Sequence, residues 1–245
     1  MIGGQALNLW AEYYSAADEL AQYRPYTSKD IDYFGYRDAA QKLADALGGH
    51  VLEPTMDDQT PQTAIVEAEV QGHLLRIDFL GNVLGVRPKA LQAKVVEIIV
   101  PYTKDDVAGH LAIPVMHPLH CLQSRIANLV VLRRPDATAR RQAEAAPVVL
   151  RQYLDQALRD GDHREVTRTL QGLFNFLARD TTGRKAHRVV DRDPLEVMKA
   201  FVDDPRIDER YREKILQPAI ERIRKQRTAI GRMLTALGRI PPYSI

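Results

Sequence analysis

Three aspartates and a glycine pair are the residues whose types and spacing could do chemistry. Gly3-Gly4 stands directly ahead of a helix-forming run, Asp30-Ile31-Asp32 lies in a stretch of aromatic and β-branched residues, and Asp78 lies in Leu75-Arg76-Ile77-Asp78-Phe79-Leu80. Successive strand side chains alternate between faces, so Asp30 and Asp32 project together, about 6.5–7 Å apart, while Ile31 points the other way. Two carboxylates side by side repel, and a proton, a basic group or a divalent cation relieves the repulsion. Asp78, flanked by apolar neighbours, joins them on that face if its strand is adjacent. Three converging carboxylates make a hard-oxygen site suited to Mg²⁺ or Mn²⁺ rather than zinc. A glycine pair opening a helix lets backbone approach a phosphate and turns free N–H groups toward it. Carboxylates for metal facing a phosphate cradle are the parts of a two-metal phosphoryl-transfer site.

The elements that must hold these residues follow from periodicity and punctuation. Residues 5–20 read as a helix with Ala6, Leu9, Tyr13, Ala17 and Leu20 inward. After a loop containing Pro25, residues 29–36 read as a strand, and residues 38–47 as a short helix stopped by Gly48-Gly49. Strand-like runs follow at 50–53, 63–70, 74–80, 95–100 and 111–115, with a short connection beginning at Pro88. Beyond Pro118 the pattern is helical: a first helix through Leu119, Leu122, Ile126 and Leu129, then residues 148–158, then a third through Val166, Leu170, Leu173 and Leu177. Residues 181–192 are polar and read as a loop. Pro194 opens another helix, and residues 208–237 read as a long one with Ile215, Ala219, Ile223, Ile230 and Leu237 inward and a kink at Pro218. The expected fold class is α+β: a mixed-sheet domain over 1–116 followed by a helical bundle over 117–245.

Composition narrows the function classes. At 245 residues, with 45% apolar and 27% charged side chains, the chain is an ordinary globular one, neither collagenous nor low-complexity. It has no run of roughly 18 apolar residues, so no membrane span is expected. The first residues lack the basic flank and apolar core of a signal peptide, and a lone cysteine, Cys121, suits a reducing cytoplasm. The net charge of +2 hides an asymmetry: residues 1–120 carry 9 basic and 16 acidic side chains, residues 121–245 carry 25 and 16. Between Arg206 and Arg232 nine basic residues stand against four acidic ones, which reads either as a solvated amphipathic face or as a phosphate-facing surface. His117, His120 and Cys121 lack the further ligands of a structural zinc and read as packing or capping residues beside Pro118.

Gly3-Gly4, a helix, then Thr27-Ser28-Lys29-Asp30-Ile31-Asp32 and a later strand aspartate resemble the DNA polymerase β-type nucleotidyltransferase superfamily. Within it the chain looks most like the AbiEii-type nucleotidyltransferases of abortive-infection and toxin–antitoxin systems. The segment His117-Pro118-Leu119-His120-Cys121-Leu122-Gln123-Ser124-Arg125-Ile126-Ala127-Asn128-Leu129 resembles the helix that opens their C-terminal part. The resemblance spans roughly residues 1–158. It implies a nucleotidyltransferase core that moves NMP from an NTP to a hydroxyl of RNA (tRNA 3′ ends included) or of protein, with a cognate antitoxin as partner. It also assigns roles: Gly3 and Gly4 to the triphosphate, Asp30 and Asp32 to the metal, Asp78 to the third carboxylate. Ser28, Lys29 and Arg125 become further nucleotide-binding candidates. Arg125 stands where many relatives carry a lysine, and a guanidinium can hold a phosphate bidentately. Their later Lys-Asp pair is replaced by Arg140-Arg141-Gln142-Ala143-Glu144, and only two residues precede Gly3. These departures motivate an alternative, a catalytically silent member that keeps the fold as a binding module.

Overall fold

The computed structural model describes residues 1–25, 31–55, 61–104, 107–132, 137–228 and 233. The chain divides into two compact units, Met1–Ser15 with Arg24–Ser124, and Ala16–Tyr23 with Arg125–Ile245.

The first unit is built on a mixed four-stranded sheet. After helix α1 (Gly3–Tyr13) come strand β1 (Ile31–Phe34), helix α3 (Arg37–Leu47; the short α2, Asp18–Ala21, belongs to the other unit), and strands β2 (His50–Leu52), β3 (Gln62–Val70) and β4 (His73–Leu80). The strand order is β1-β4-β3-β2, with β1 parallel to β4 and the remaining pairs antiparallel. Period-2 alternation sorts the sheet into two faces. On one, Ala64, Val66, Ile77 and Phe79 pack with Ala40 and Ala44 of α3, with Ile31, Tyr33 and Leu75 at the margin. Small alanines on α3 let it lie close to the sheet. The helix stops at Gly48, which holds φ +67° with open space around it, the left-handed cap that glycine adopts at least cost. Helix α4 (Pro88–Ala93) forms where only a connection was expected, with Pro88 at its first turn. Strands β5 (Val95–Lys104) and β6 (Val107–Met116) are longer than the expected runs and form a separate two-stranded ribbon.

Helix α1 corrects the expected inward face in part. Ala6 is buried as expected, as is Leu20 further on, but Leu7, Trp10 and Ala11 are buried too, while Tyr13 is 49% exposed. Tyr14 stacks on the Trp10 ring at 5.8 Å and Tyr13 meets Tyr14 edge-on, so the helix ends in an aromatic cluster rather than running to residue 20. Residues 16–23 belong to the other unit, where α2 (Asp18–Ala21) lies.

The second unit is helical. Helix α5 (Pro118–Val131) crosses the division at Ser124, and α6 (Ala137–Arg159), α7 (His163–Arg179), α8 (Leu195–Lys199), α9 (Glu209–Tyr211) and α10 (Gln217–Arg227) follow. Leu150, Leu154, Leu170, Leu173, Phe174 and Leu195 are fully buried in its core. Three expectations change. Helix α6 starts well before residue 148, because Ala143, Ala145 and Ala146 are buried and carry the helix through Pro147 at the loss of one backbone hydrogen bond. A 3₁₀ turn, Gly183–Arg188, interrupts the polar 181–192 stretch. The long C-terminal helix is broken instead into α9, a π-helical turn over Arg212–Leu216, and α10. Pro218 has no N–H and clashes with the preceding turn, and widening that turn accommodates it. The wider turn advances the phase by one residue: Leu216 is buried and Ile215 is 37% exposed, while Ala219 and Ile223 stay inward as expected. Ile230 and Leu237 lie outside the described residues.

Candidate functional site: the carboxylate face of the sheet

The polar face of the sheet carries the candidate site. Ile31 and Tyr33 turn toward α3, so Asp32 between them turns away; on β4, buried Ile77 and Phe79 do the same for Asp78. The parallel pairing sets Asp32 level with Asp78. Neighbouring strands lie about 4.8 Å apart, so the two carboxylates rise side by side from adjacent strands. The sequence could say only that they would share a face if the strands were neighbours. They are.

Two features frame Asp32. Ile2 N–H donates to its backbone carbonyl at 2.9 Å, and Met116 N–H donates to Met1 O at 2.9 Å, so the residues before the glycines are tied to β1 and β6. Trp10 Nε1 fixes the same corner by donating to Met116 O at 2.9 Å. Gly3 then opens α1 at φ +69°, and a Cβ placed there would lie 2.5 Å from Asp32 Oδ2. The carboxylate therefore rests against the bare backbone of the helix start. Gly3 is required twice, for its backbone angle and for that approach. Gly4 is buried in the same turn.

Asp78 is held differently. Gln62 Nε2 donates to Oδ2 in a short hydrogen bond, while Oδ1 is buried with no hydrogen-bond partner. Arg76 Nε stands 3.6 Å from Oδ1, and Arg76 also faces Glu67 at 3.6 Å. Glu67 in turn faces His50 at 3.6 Å, completing a polar row across β4, β3 and β2. Gln62 reaches Asp78 because the β3–β4 register slips between Gln62 and Ala64. In a regular strand residue 62 would share the apolar face of Ala64; the slip turns it over.

The other sequence candidates divide as follows. Asp30, Ser28 and Lys29 lie outside the described residues. Arg125 belongs to the second unit, where Nη1 donates to Gln142 Oε1 at 3.0 Å. His117 and His120 are buried, and His117 Nδ1 accepts from Leu119 N–H at 3.0 Å, which is the capping role expected at the start of α5. Among the described residues no three His, Cys, Asp or Glu side chains gather closely enough to hold a metal ion. Asp32 and Asp78 form a pair on adjacent strands. Sequence reasoning missed Arg76 and Gln62. Arg76 was accessible in principle, since it lies two residues from Asp78 on one strand. Gln62 was not, because nothing in the sequence marks the register slip.

The donors fit a hard divalent cation: two adjacent carboxylates, one with a buried oxygen lacking a hydrogen-bond partner, beside a helix start whose glycine leaves room for close approach. No family model, curated protein or solved structure matches the chain. Among the described residues no helix is long and apolar enough to cross a membrane.

Proposed function

We propose that the chain is a metal-dependent nucleotidyltransferase that moves NMP from an NTP to a hydroxyl of RNA or protein. The observation that carries this reading is the level pairing of Asp32 with Asp78 on parallel strands, facing away from the core and against the Gly3 backbone. Asp32 and Asp78, with Asp30, would hold Mg²⁺ or Mn²⁺. When bound, such ions polarise the α-phosphate and stabilise the entering and leaving oxygens. Asp78 Oδ1 makes no hydrogen bond and faces Arg76 Nε at 3.6 Å, so it would take a ligand, or draw the proton of the attacking hydroxyl, in place of that ion pair. Gly3 and Gly4 would let the triphosphate approach the start of α1. Ser28, Lys29 and Arg125 remain nucleotide-binding candidates by resemblance. A cytoplasmic toxin with a cognate antitoxin is the biological setting that the resemblance suggests.

One observation favours the second reading, a silent binding module: Asp78 already faces Arg76 and Gln62. Labelled-NTP transfer onto total cellular RNA and protein with Mg²⁺ separates the two. An active enzyme incorporates label, and Asp32→Asn with Asp78→Asn lowers incorporation by about a hundredfold or more. Incorporation unchanged by that double substitution would overturn the assignment. A silent module incorporates none.

A further inference from the structure

The helical unit contains a cavity of about 600 Å³ between α6, the segment leading into α8, and residues 22–23. Its polar wall is built around two guanidiniums. Arg151 projects from α6 and Arg192 from the turn before α8, and both donate to one oxygen of Glu19, at 2.6 and 3.1 Å. Both arginines are about one-third exposed, 35% and 31%, so they are partly desolvated yet reachable.

The arrangement is fixed from behind. Buried Glu144 accepts the backbone N–H groups of Asp191 and Arg192, at 2.6 and 2.9 Å, clamping the turn that carries Arg192. The next residue, Asp193, takes a two-pronged contact from Arg227 and accepts Leu195 N–H at 3.0 Å. Arg192 thus leaves a turn anchored at two successive positions.

Charge pairing around the cavity is uneven. Asp191 is paired with Arg140, Asp193 with Arg227 and Glu196 with Lys199, and Glu144 is satisfied by backbone. Arg151 and Arg192 share the single carboxylate of Glu19, so two cations converge on one anionic oxygen. A phosphate offers more charge and more acceptor oxygens than a carboxylate, and guanidinium pairs match it in geometry. Tyr23, Pro147, Val148 and Val197 give the wall an apolar and aromatic patch beside Gln22 and the paired carboxylates. A cavity of this size, combining an apolar patch with convergent polar groups, is within the range of small-molecule sites, roughly 300–1,000 Å³.

We infer that this cavity binds a nucleotide through its phosphate, held by Arg151 and Arg192 in place of the Glu19 carboxylate, with the base against Tyr23 and the apolar wall. Every residue of this site belongs to the helical unit, and the contact needs no metal. Glu19 acts as the resident anion that the phosphate displaces.

Isothermal titration in EDTA tests it, with AMP, adenosine and the trinucleotide ApApA as probes. AMP should bind saturably and at least about tenfold more tightly than adenosine, since charged hydrogen bonds are the difference. Arg151→Gln with Arg192→Gln should weaken AMP about tenfold or more. Glu19→Gln removes the competing charge and should tighten AMP severalfold, a gain that a misfolded variant cannot mimic. Asp32→Asn with Asp78→Asn should leave AMP affinity unchanged. Tighter binding of AMP than of ApApA marks a free mononucleotide as ligand, and the reverse marks a polynucleotide. Equal affinity for AMP and adenosine, an unaffected double-arginine variant, or no binding by wild type and Glu19→Gln would overturn the proposal. Loss of binding in the double-aspartate variant would instead assign the nucleotide to the sheet. Failure here leaves the metal reading intact, because that reading is tested by label transfer.

Discussion

Gly3 and Gly48 hold nearly the same left-handed φ, yet their substitution has different consequences. At Gly48 an added Cβ meets nothing within 4 Å, so Gly48→Ala carries only the conformational cost, about 1–2 kcal/mol. At Gly3 the Cβ also meets the Asp32 carboxylate, so Gly3→Ala should cost about 1–3 kcal/mol and move Asp32 as well. Urea denaturation alongside Mn²⁺ titration checks both: Gly48→Ala should lose stability alone, Gly3→Ala stability and metal affinity together. Equal metal affinity in the two variants would contradict the close approach. Gln62 makes a second residue-scale test. Gln62→Ala removes the donor to Asp78 Oδ2, and loss of such a supporting contact should weaken Mn²⁺ binding by roughly 10–100-fold. Unchanged affinity would reduce Gln62 to a packing residue. Asp32 and Asp78 were legible in the sequence, because an acid between two apolar residues on a strand must face away from the core. Gln62 was not legible, because its orientation depends on a register slip that only the paired strand defines.

At the scale of elements, the sheet was more readable than the helices. Alternation located β2, β3 and β4 to within a residue or so, since period 2 tolerates no phase drift within a short strand. Helix phase is softer. In α1 the stripe chosen from the sequence ran through Ala6, Leu9 and Tyr13; Ala6 is buried, but Leu7 and Trp10 are buried in place of Leu9 and Tyr13. Both stripes keep helical spacing, and aromatic contacts among Trp10, Tyr13 and Tyr14 decide between them. In the C-terminal segment, Pro218 signalled a disruption correctly, but its form, a π turn, was not encoded in the spacing. That turn makes a direct prediction: Leu216→Ala should cost about 2–5 kcal/mol and Ile215→Ala under about 1 kcal/mol. Chemical denaturation of the two variants measures it, and the reverse order would mean an uninterrupted helix.

For the whole molecule, charge asymmetry along the chain corresponds only in part to function. The acidic first half contains the carboxylate pair, but Arg76 facing both Glu67 and Asp78 shows that sheet charges also pair among themselves. Many basic residues of the second half are engaged in ion pairs, including Arg140, Arg151, Arg192, Arg206 and Arg227. Two groups in this half set its acid response. Burial, reinforced by the charge of Arg227, holds His187 below its ordinary 6.5; the Arg206 hydrogen bond holds Asp204 below its ordinary 3.8. A depressed pKa means that the unfolded chain takes up the proton first, so folding is favoured above the ordinary value and stability falls as pH drops through the folded one. Stability should decline first below pH 6.5 and again below pH 3.8. His187→Gln should flatten the first decline and Asp204→Asn the second, as read by midpoint denaturant concentration against pH. A flat profile across both ranges would contradict these assignments.

The central claim is that Asp32 and Asp78 form one divalent-cation site, and Mn²⁺ binding followed by electron paramagnetic resonance, with ATP present, tests it most directly. Wild type should bind Mn²⁺ more tightly than ATP alone does, and Asp32→Asn with Asp78→Asn should lose that excess by at least about tenfold. Identical Mn²⁺ binding by wild type and the double variant would contradict it.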